Sequence, residues 1–171
     1  KMEQTAEVLK DGWLHTGDVG EMDKEGFLHI VDRKKDLIIT AGGKNIAPSA
    51  IENRLKFSPY IKEAIVIGDR RKFPSVLLQI ELENVENWAQ KRMIPYTNYK
   101  SLATNQDVNK LIAGVVQEVN SHFARVERVK KFRILEKELD QDDNELTGTM
   151  KAKRAIIERK YKRIIDEIYG E

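Results

Sequence analysis

Val108, Leu111, Ile112, Val115, Val116, Val119 and Phe123 recur at steps of three and four, and this spacing constrains the chain more than any other feature. It predicts one long helix with a single apolar face. Two strand-like runs stand upstream, residues 63–68 (Ala64, Ile65, Val66, Ile67) and 76–82 (Leu77, Leu78, Ile80, Leu82), parted by a charged loop at 69–74. A further strand is expected over 129–135. Strands and helices are therefore mixed without strict alternation. The expected fold class is α+β, a small mixed or antiparallel sheet flanked by helices and preceded by a β-hairpin.

The remaining elements follow from punctuation. Residues 13–32 predict two short strands around Asp23-Lys24-Glu25-Gly26, the glycine supplying the positive φ. Leu37-Ile38-Ile39-Thr40 reads as a strand that stops at Ala41-Gly42-Gly43. Pro48 suits the first turn of a helix with Ile51, Leu55 and Phe57 inward, ended by Ser58-Pro59. Asn84 is placed to cap a helix running to Arg92, and residues 94–104 have no period and predict a loop. Residues 140–149 are polar and predict an exposed loop. The last helix is expected over 150–168, with Ala155, Ile156, Tyr161, Ile164, Ile165 and Ile168 inward. Residues 1–9 look helical and run into Asp11-Gly12 with no start of their own, the pattern expected of a piece of a longer protein.

Composition narrows the function classes. With 171 residues the chain can build one domain with a core, not two full ones. Thirty basic against 28 acidic residues imply no global polyanion-binding character, although local patches stay open, and no nucleic-acid partner is expected. The absence of cysteine excludes disulfides, thiolate zinc sites and a Cys nucleophile, and fits a reducing, cytoplasmic setting. His15, His29 and His122 are scattered, so no metal site is expected. No apolar run approaches the length of a membrane span.

Four motifs could carry chemistry. In His15-Thr16-Gly17-Asp18 a carboxylate at a strand end could accept two hydrogen bonds from a ribose diol, although on these residues alone a turn is the better explanation. Asp32-Arg33-Lys34-Lys35-Asp36 follows in the second hairpin strand. With a four-residue hairpin loop, Asp18 faces Val31 and Arg33 lies one diagonal away on the same face. With a three-residue loop and a bulge at Gly26, Asp18 and Arg33 point to opposite faces. Ala41-Gly42-Gly43-Lys44-Asn45 lets the backbone approach a ligand and brings a cation, but lacks the spacing of a phosphate-cradling loop, and a tight turn is the plainer reading. Finally, Thr147-Gly148-Thr149-Met150-Lys151-Ala152-Lys153-Arg154 sets a lysine on a loop at the foot of a helix, where it could reach a reacting phosphate or carboxylate. The alternative is a basic surface for anionic lipid or nucleic acid, built from Lys151, Lys153, Arg154, Arg159, Lys160, Lys162 and Arg163 and interrupted by Glu158, Asp166 and Glu167.

In order and spacing these motifs, together with Gly12-Trp13, Ile46, Pro48 and Ile51-Glu52, resemble the adenylate-forming superfamily of acyl-CoA synthetases, adenylation domains and luciferases. Asp69-Arg70-Arg71-Lys72-Phe73-Pro74-Ser75, Val126-Glu127-Arg128-Val129-Lys130-Lys131-Phe132-Arg133 and Leu146-Thr147 with Thr149-Met150-Lys151-Ala152-Lys153-Arg154 resemble its long-chain fatty-acid–CoA ligase branch. The resemblance covers nearly the whole chain. It implies that residues 1–34 are the tail of a large N-terminal domain with a hinge, and 35–171 a small mobile C-terminal domain. It further implies a ligase that joins fatty acid to CoA through an acyl-adenylate, with ATP, CoA and Mg²⁺ as cofactors, and a fragment inactive without the N-terminal domain. Asp18 and Arg33 would serve the nucleotide and Lys35 the hinge. Lys151 would serve adenylation, and Gly42, Gly43, Lys44 and Asn45 the CoA. Gly148 stands where long-chain members more often carry Pro, which would loosen the loop before Lys151. An enzyme loading a carrier protein is the alternative within the superfamily. Peripheral membrane contact is compatible with a lipid substrate.

Overall fold

The computed structural model describes residues 8–170. Its centre is a three-stranded sheet of order β7-β8-β9: β7 (Ile61–Ile67) runs antiparallel to β8 (Ser75–Ile80), and β8 runs parallel to β9 (Lys131–Ile134). Every residue of β8 is buried, because helices cover both faces. Val76, Leu78 and Ile80 point into one core with helices α1 (Pro48–Lys56), α2 (Leu82–Lys91), α3 (Tyr99–Ala103) and α4 (Gln106–Asn120). Leu77 points the other way, into a core with α5 (Arg154–Lys160) and α6 (Lys162–Tyr169). Each fully buried Leu or Ile contributes about 1.5–3 kcal/mol. The polar side chains on the second face are satisfied: Ser75 Oγ pairs with Tyr169 Oη at 2.9 Å, and Gln79 Oε1 accepts the Leu139 N–H at 3.2 Å. The expected α+β class and flanked mixed sheet are what the chain adopts.

Ahead of the sheet lie three two-stranded hairpins. β1 (Leu9–Lys10) pairs with β2 (Trp13–Leu14), β3 (Asp18–Met22) with β4 (Leu28–Arg33), and β5 (Ile38–Ile39) with β6 (Asn45–Ile46). The first of these was not foreseen; the helix expected over 1–9 lies outside the described residues up to residue 7, and Leu9 stands in β1.

The predicted helix is α4, which ends at Asn120 before the last of the apolar positions, Phe123. It is capped by Asn105, whose Oδ1 accepts the Asp107 N–H at 2.8 Å. Elsewhere local pattern gave way to packing. Phe57 is 81% exposed, because α1 stops at Lys56 and turns it outward. Asn84 caps nothing: α2 starts two residues earlier, and the Asn84 amide donates to Pro59 O at 2.7 Å. The expected loop 94–104 contains α3, held by a reciprocal Asn98–Ser101 capping box. The last helix begins at Arg154 and breaks at Tyr161, which puts Ile157 inside and leaves Ala155 exposed. The loop 140–149 is exposed only in part, since Glu145 and Leu146 are buried.

Candidate functional site

The β3–β4 register decides whether Asp18 and Arg33 can meet. Near the tip Met22 faces Leu28 and Gly20 faces Ile30, the register that sends the two side chains to opposite faces. A bulge between Val19 and Gly20 then leaves Val31 without a partner, so that Asp18 faces Arg33 directly. Arg33 Nε lies 2.8 Å from Asp18 Oδ1. Neither of the two registers weighed from the sequence is the observed one; a second irregularity brings the pair together. The other carboxylate oxygen, Asp18 Oδ2, has no hydrogen bond among the described residues.

Asp32, one residue earlier, is buried and was not singled out in the sequence. Helix α1 starts after Ala47, which has no side chain to cap it, and with Pro48 in the first turn. Asp32 reaches across and serves instead: Oδ2 accepts the Ser49 N–H at 3.0 Å and Oδ1 the Ser49 hydroxyl at 2.9 Å. A carboxylate at a helix N-terminus also faces the positive end of the helix dipole. Lys34, Lys35 and Asp36 form the turn that follows β4, with the Asp36 N–H donating to Arg33 O at 3.0 Å. Lys35 is exposed on that turn.

Gly42, Gly43 and Lys44 lie on the exposed tip of the β5–β6 hairpin, and Asn45 opens β6. Thr40 N–H donates to Lys44 O at 3.0 Å, Gly43 N–H to Thr40 O at 2.8 Å, and Lys44 N–H to Thr40 Oγ1 at 3.2 Å; Gly43 has φ of 72°. The loop at 147–151 repeats these bonds. Thr147 N–H donates to Lys151 O at 2.8 Å, Met150 N–H to Thr147 O at 2.9 Å, and Lys151 N–H to Thr147 Oγ1 at 3.0 Å; Met150 has φ of 60°. Both are tight turns closed by a residue in the left-handed region, the geometry of three-residue hairpin loops. In each, a Thr-x-x-x-Lys spacing sets the threonine as the acceptor and the lysine as the last residue. The spacing was visible in the sequence and was not read. The positive angle in this turn falls on Met150 and not on Gly148.

The two tips are held differently. The 40–44 tip docks by main chain on the loop after β7: Ala41 N–H donates to Arg71 O at 2.9 Å and Arg70 N–H to Ile39 O at 2.8 Å. The 147–151 tip ends in the bridge between Leu146 and Ala152, below which Lys153 N–H donates to Glu145 O at 2.8 Å. Lys151 is exposed, and among the described residues its ammonium makes no ion pair. The rest of the basic stripe is largely spoken for. Arg154 binds Glu52 at 2.6 Å, Lys160 binds Asp143 and Glu145, Lys162 pairs with Asp166, and Arg163 with Glu167. A stripe paired with its own carboxylates is a poor lipid or nucleic-acid surface.

The acidic trio Asp140, Asp143 and Glu145 has the spacing of a cation site, but lysines fill it. Lys137 and Lys160 contact it at 2.7 to 3.3 Å, with a still closer Lys137–Asp143 pair. These two lysines hold Asp143 down to about 2. The trio does not suit Mg²⁺. Burial pushes the Tyr99 and Tyr161 phenols well above their ordinary value, and in Tyr161 the neighbouring Glu145 adds to it.

Comparison with known proteins identifies the family. The family model of the AMP-binding enzyme C-terminal domain matches residues 35–171, and the chain belongs to that family. The long-chain-fatty-acid–CoA ligase FadD15 of Mycobacterium tuberculosis is 40% identical over 168 residues, covering 98% of this chain and 28% of the relative. The long-chain-fatty-acid–CoA ligase ACSBG2 of Gallus gallus is 37% identical over 188 residues, covering 99% of this chain and 25% of the relative. The chain thus spans little more than a quarter of the length of these relatives. In structure, the adenylation domain of a carboxylate reductase from Mycobacterium chelonae matches 99% of this chain and 25% of its own, with a TM-score of 0.79 at 21% identity, a likeness of fold. Among the described residues no helix is long and apolar enough to cross a membrane.

Proposed function

We propose that this chain is the C-terminal part of an ATP-dependent long-chain fatty-acid–CoA ligase. The observation that carries the reading is its end-to-end likeness, at 40% identity, to a ligase of that class. In the first step the fatty-acid carboxylate attacks the α-phosphorus of ATP and displaces pyrophosphate, giving acyl-adenylate. In the second the CoA thiol attacks the acyl carbonyl, AMP leaves and the thiol proton passes to solvent. Residues 1–34 belong to the tail of the large domain and 35–171 to the small mobile one. The apolar surface of the first hairpins supports this: Trp13 is 75% exposed, Met22 69%, Leu28 64% and Ile30 60%, far more than an isolated surface ribbon needs.

Asp18 holds the ribose hydroxyls through Oδ2 while Arg33 fixes Oδ1. Lys35, in the turn between hairpin and small domain, is the hinge, where one backbone rotation swings the domain. Lys151, exposed and unpaired, approaches the reacting carboxylate and α-phosphate and stabilises the charge that grows there. After pyrophosphate leaves, the swing withdraws Lys151 and presents Gly42, Gly43, Lys44 and Asn45 to the pantetheine, with Lys44 near the CoA phosphates. Mg²⁺ would enter with ATP, held by residues outside this chain. The fragment alone is inactive. The enzyme works in the cytoplasm, in peripheral contact with a membrane when it takes up lipid.

The test uses the intact ligase. Lys151→Ala is expected to slow acyl-adenylate formation by about 10²–10³ and to spare thioester formation from supplied acyl-adenylate. Adenylation at the wild-type rate would remove Lys151 from the mechanism.

A further inference from the structure

The 147–151 tip carries Lys151 but holds on to little. Its own hydrogen bonds close the turn without fixing where the turn stands. Outside the turn, Gln141 Nε2 donates to Met150 Sδ at 2.9 Å, and the strand-like bonds at Leu146, Ala152 and Lys153 tie the loop's two stems to each other. Leu146 packs into the smaller core, its N–H donates to Asp140 O at 3.1 Å, and Arg154 reaches Glu52. A further ionic tie beside them is the residue just before Leu146.

Glu145 is a fully buried carboxylate in a domain whose other carboxylates lie at least partly at the surface or at the hinge. Its Oε1 accepts the Tyr161 hydroxyl at 2.9 Å and meets Lys160 Nζ at 2.8 Å. Its Oε2 accepts the Asp140 N–H at 3.1 Å and lies 3.3 Å from Lys137 Nζ. Tyr161 stands at the break between α5 and α6, and Asp140 opens the turn that Lys137 closes through Asp140 and Asp143. One side chain therefore contacts three pieces at once: the stem of the lysine loop, the α5–α6 junction and the turn at 137–143. It adds to the Glu145 and Leu146 N–H bonds to Asp140 O and to the Lys160–Asp143 pair. Burial by itself would raise this carboxyl. Lys160, the Asp140 N–H and Tyr161 outweigh it and hold the group ionised, below its ordinary value. A buried, ionised carboxylate with this many donors orients as well as binds, because each donor restricts its direction.

We propose that Glu145 is a positioning residue for Lys151: its carboxylate fixes the stem of the 147–151 loop against Tyr161, Lys160 and Lys137, and so sets where the Lys151 ammonium stands during adenylation. The inference rests on the role of Lys151 proposed above. Glu145 touches no substrate. It acts on one of the two half-reactions, because the other tip, at 40–44, is held by main-chain bonds to residues 70 and 71 and has no contact with this network. A shift of about 1 Å in a reacting group can cost on the order of 100-fold in rate.

The experiment compares Glu145→Gln, Lys151→Ala, the double variant and Tyr161→Phe in the intact ligase, with adenylate formation and thioester formation from supplied acyl-adenylate timed separately. The melting temperature of each variant is recorded alongside. Glu145→Gln is expected to slow adenylation about 10- to 100-fold with thioester formation little changed. On the Lys151→Ala background it should cost nothing more, since two residues acting through one group are not additive. Tyr161→Phe, which keeps the carboxylate and removes one donor, should slow the same step by less; it carries the comparison if Glu145→Gln does not fold. Loss of both steps alike, or losses that multiply in the double variant, would make Glu145 merely structural and overturn the proposal. Wild-type adenylation by Lys151→Ala would instead overturn the reading of Lys151 itself, whatever Glu145 does.

Discussion

The tips at 40–44 and 147–151 are built alike and secured differently. Each is closed by a threonine that accepts the N–H of a lysine four residues on. The first tip has glycine at the left-handed position, flanks Ile38 and Ile46 of the larger core, and docks through backbone bonds to residues 70 and 71. The second has Met150 at that position, flanks Leu146 of the smaller core, and adds to its main-chain bonds to Asp140 O an ionic tie through Glu145 and its lysines. Backbone bonds are indifferent to pH and to side-chain identity. An ionic anchor is neither. The same local turn can therefore be a rigid fixture at one place and an adjustable one at another.

The largest expected effect that separates them is functional. Lys44→Ala should raise the KM for CoA, by about tenfold if one charge-assisted contact is lost, and leave adenylation unchanged. Lys151→Ala should do the reverse. Equal effects of both substitutions on both half-reactions would erase the distinction between the tips. Steady-state kinetics in CoA and single-turnover adenylation read the two.

Next in size is the support of α1. Asp32→Ala leaves the Ser49 N–H and hydroxyl without their buried acceptor and removes the cap of α1. It should cost about 1–3 kcal/mol in a urea titration. Loss of less than a few tenths would mean that water replaces the carboxylate there.

A smaller effect tests the left-handed positions. A non-glycine residue there stores roughly 1–2 kcal/mol, so Met150→Gly should stabilise the chain by up to about 1 kcal/mol after the added flexibility of glycine in the unfolded state. Gly43→Ala should destabilise it by a similar amount.

The smallest effect is in pH. Lys137 and Lys160 depress Asp143 to about 2, and Glu145 and Asp140 are lowered as well. Carboxyls lowered on folding contribute stability above their ordinary values, and that contribution is lost as pH falls through the folded ones. Between about pH 4 and pH 2 the second tip should lose its anchor first. Hydrogen exchange at Lys151 should accelerate over that range relative to Lys44; parallel acceleration of both amides would show that the ionic anchor contributes little.

Much of this was legible in the chain itself. Periodicity alone marked α4, and the apolar runs marked β7 and β8, because an element buried along one face must repeat at its own period. The candidate residues Asp18, Arg33, Lys35, Gly42, Lys44 and Lys151 were named from motifs, and each lies where a loop, turn or strand end exposes it or leaves it partly open. Short elements were harder. α3 depends on the Asn98–Ser101 box and on the Tyr99 hydroxyl, which accepts the Ile80 N–H at 3.2 Å, and a five-residue helix has no period to read.

The sequence by itself determined the class of fold and the order of its longer elements, since these follow from residue type and local spacing, and it marked Asp18 and Lys151 as candidates through their motifs. Only the tertiary structure decided that a bulge at Val31 turns Arg33 onto Asp18, that Asp32 caps a helix 17 residues away, and that Glu145 is a buried anchor instead of one more acid in a polar loop. Each of these joins groups from separate segments, and a hydrogen bond or ion pair between such segments leaves no period or motif in the chain that forms it.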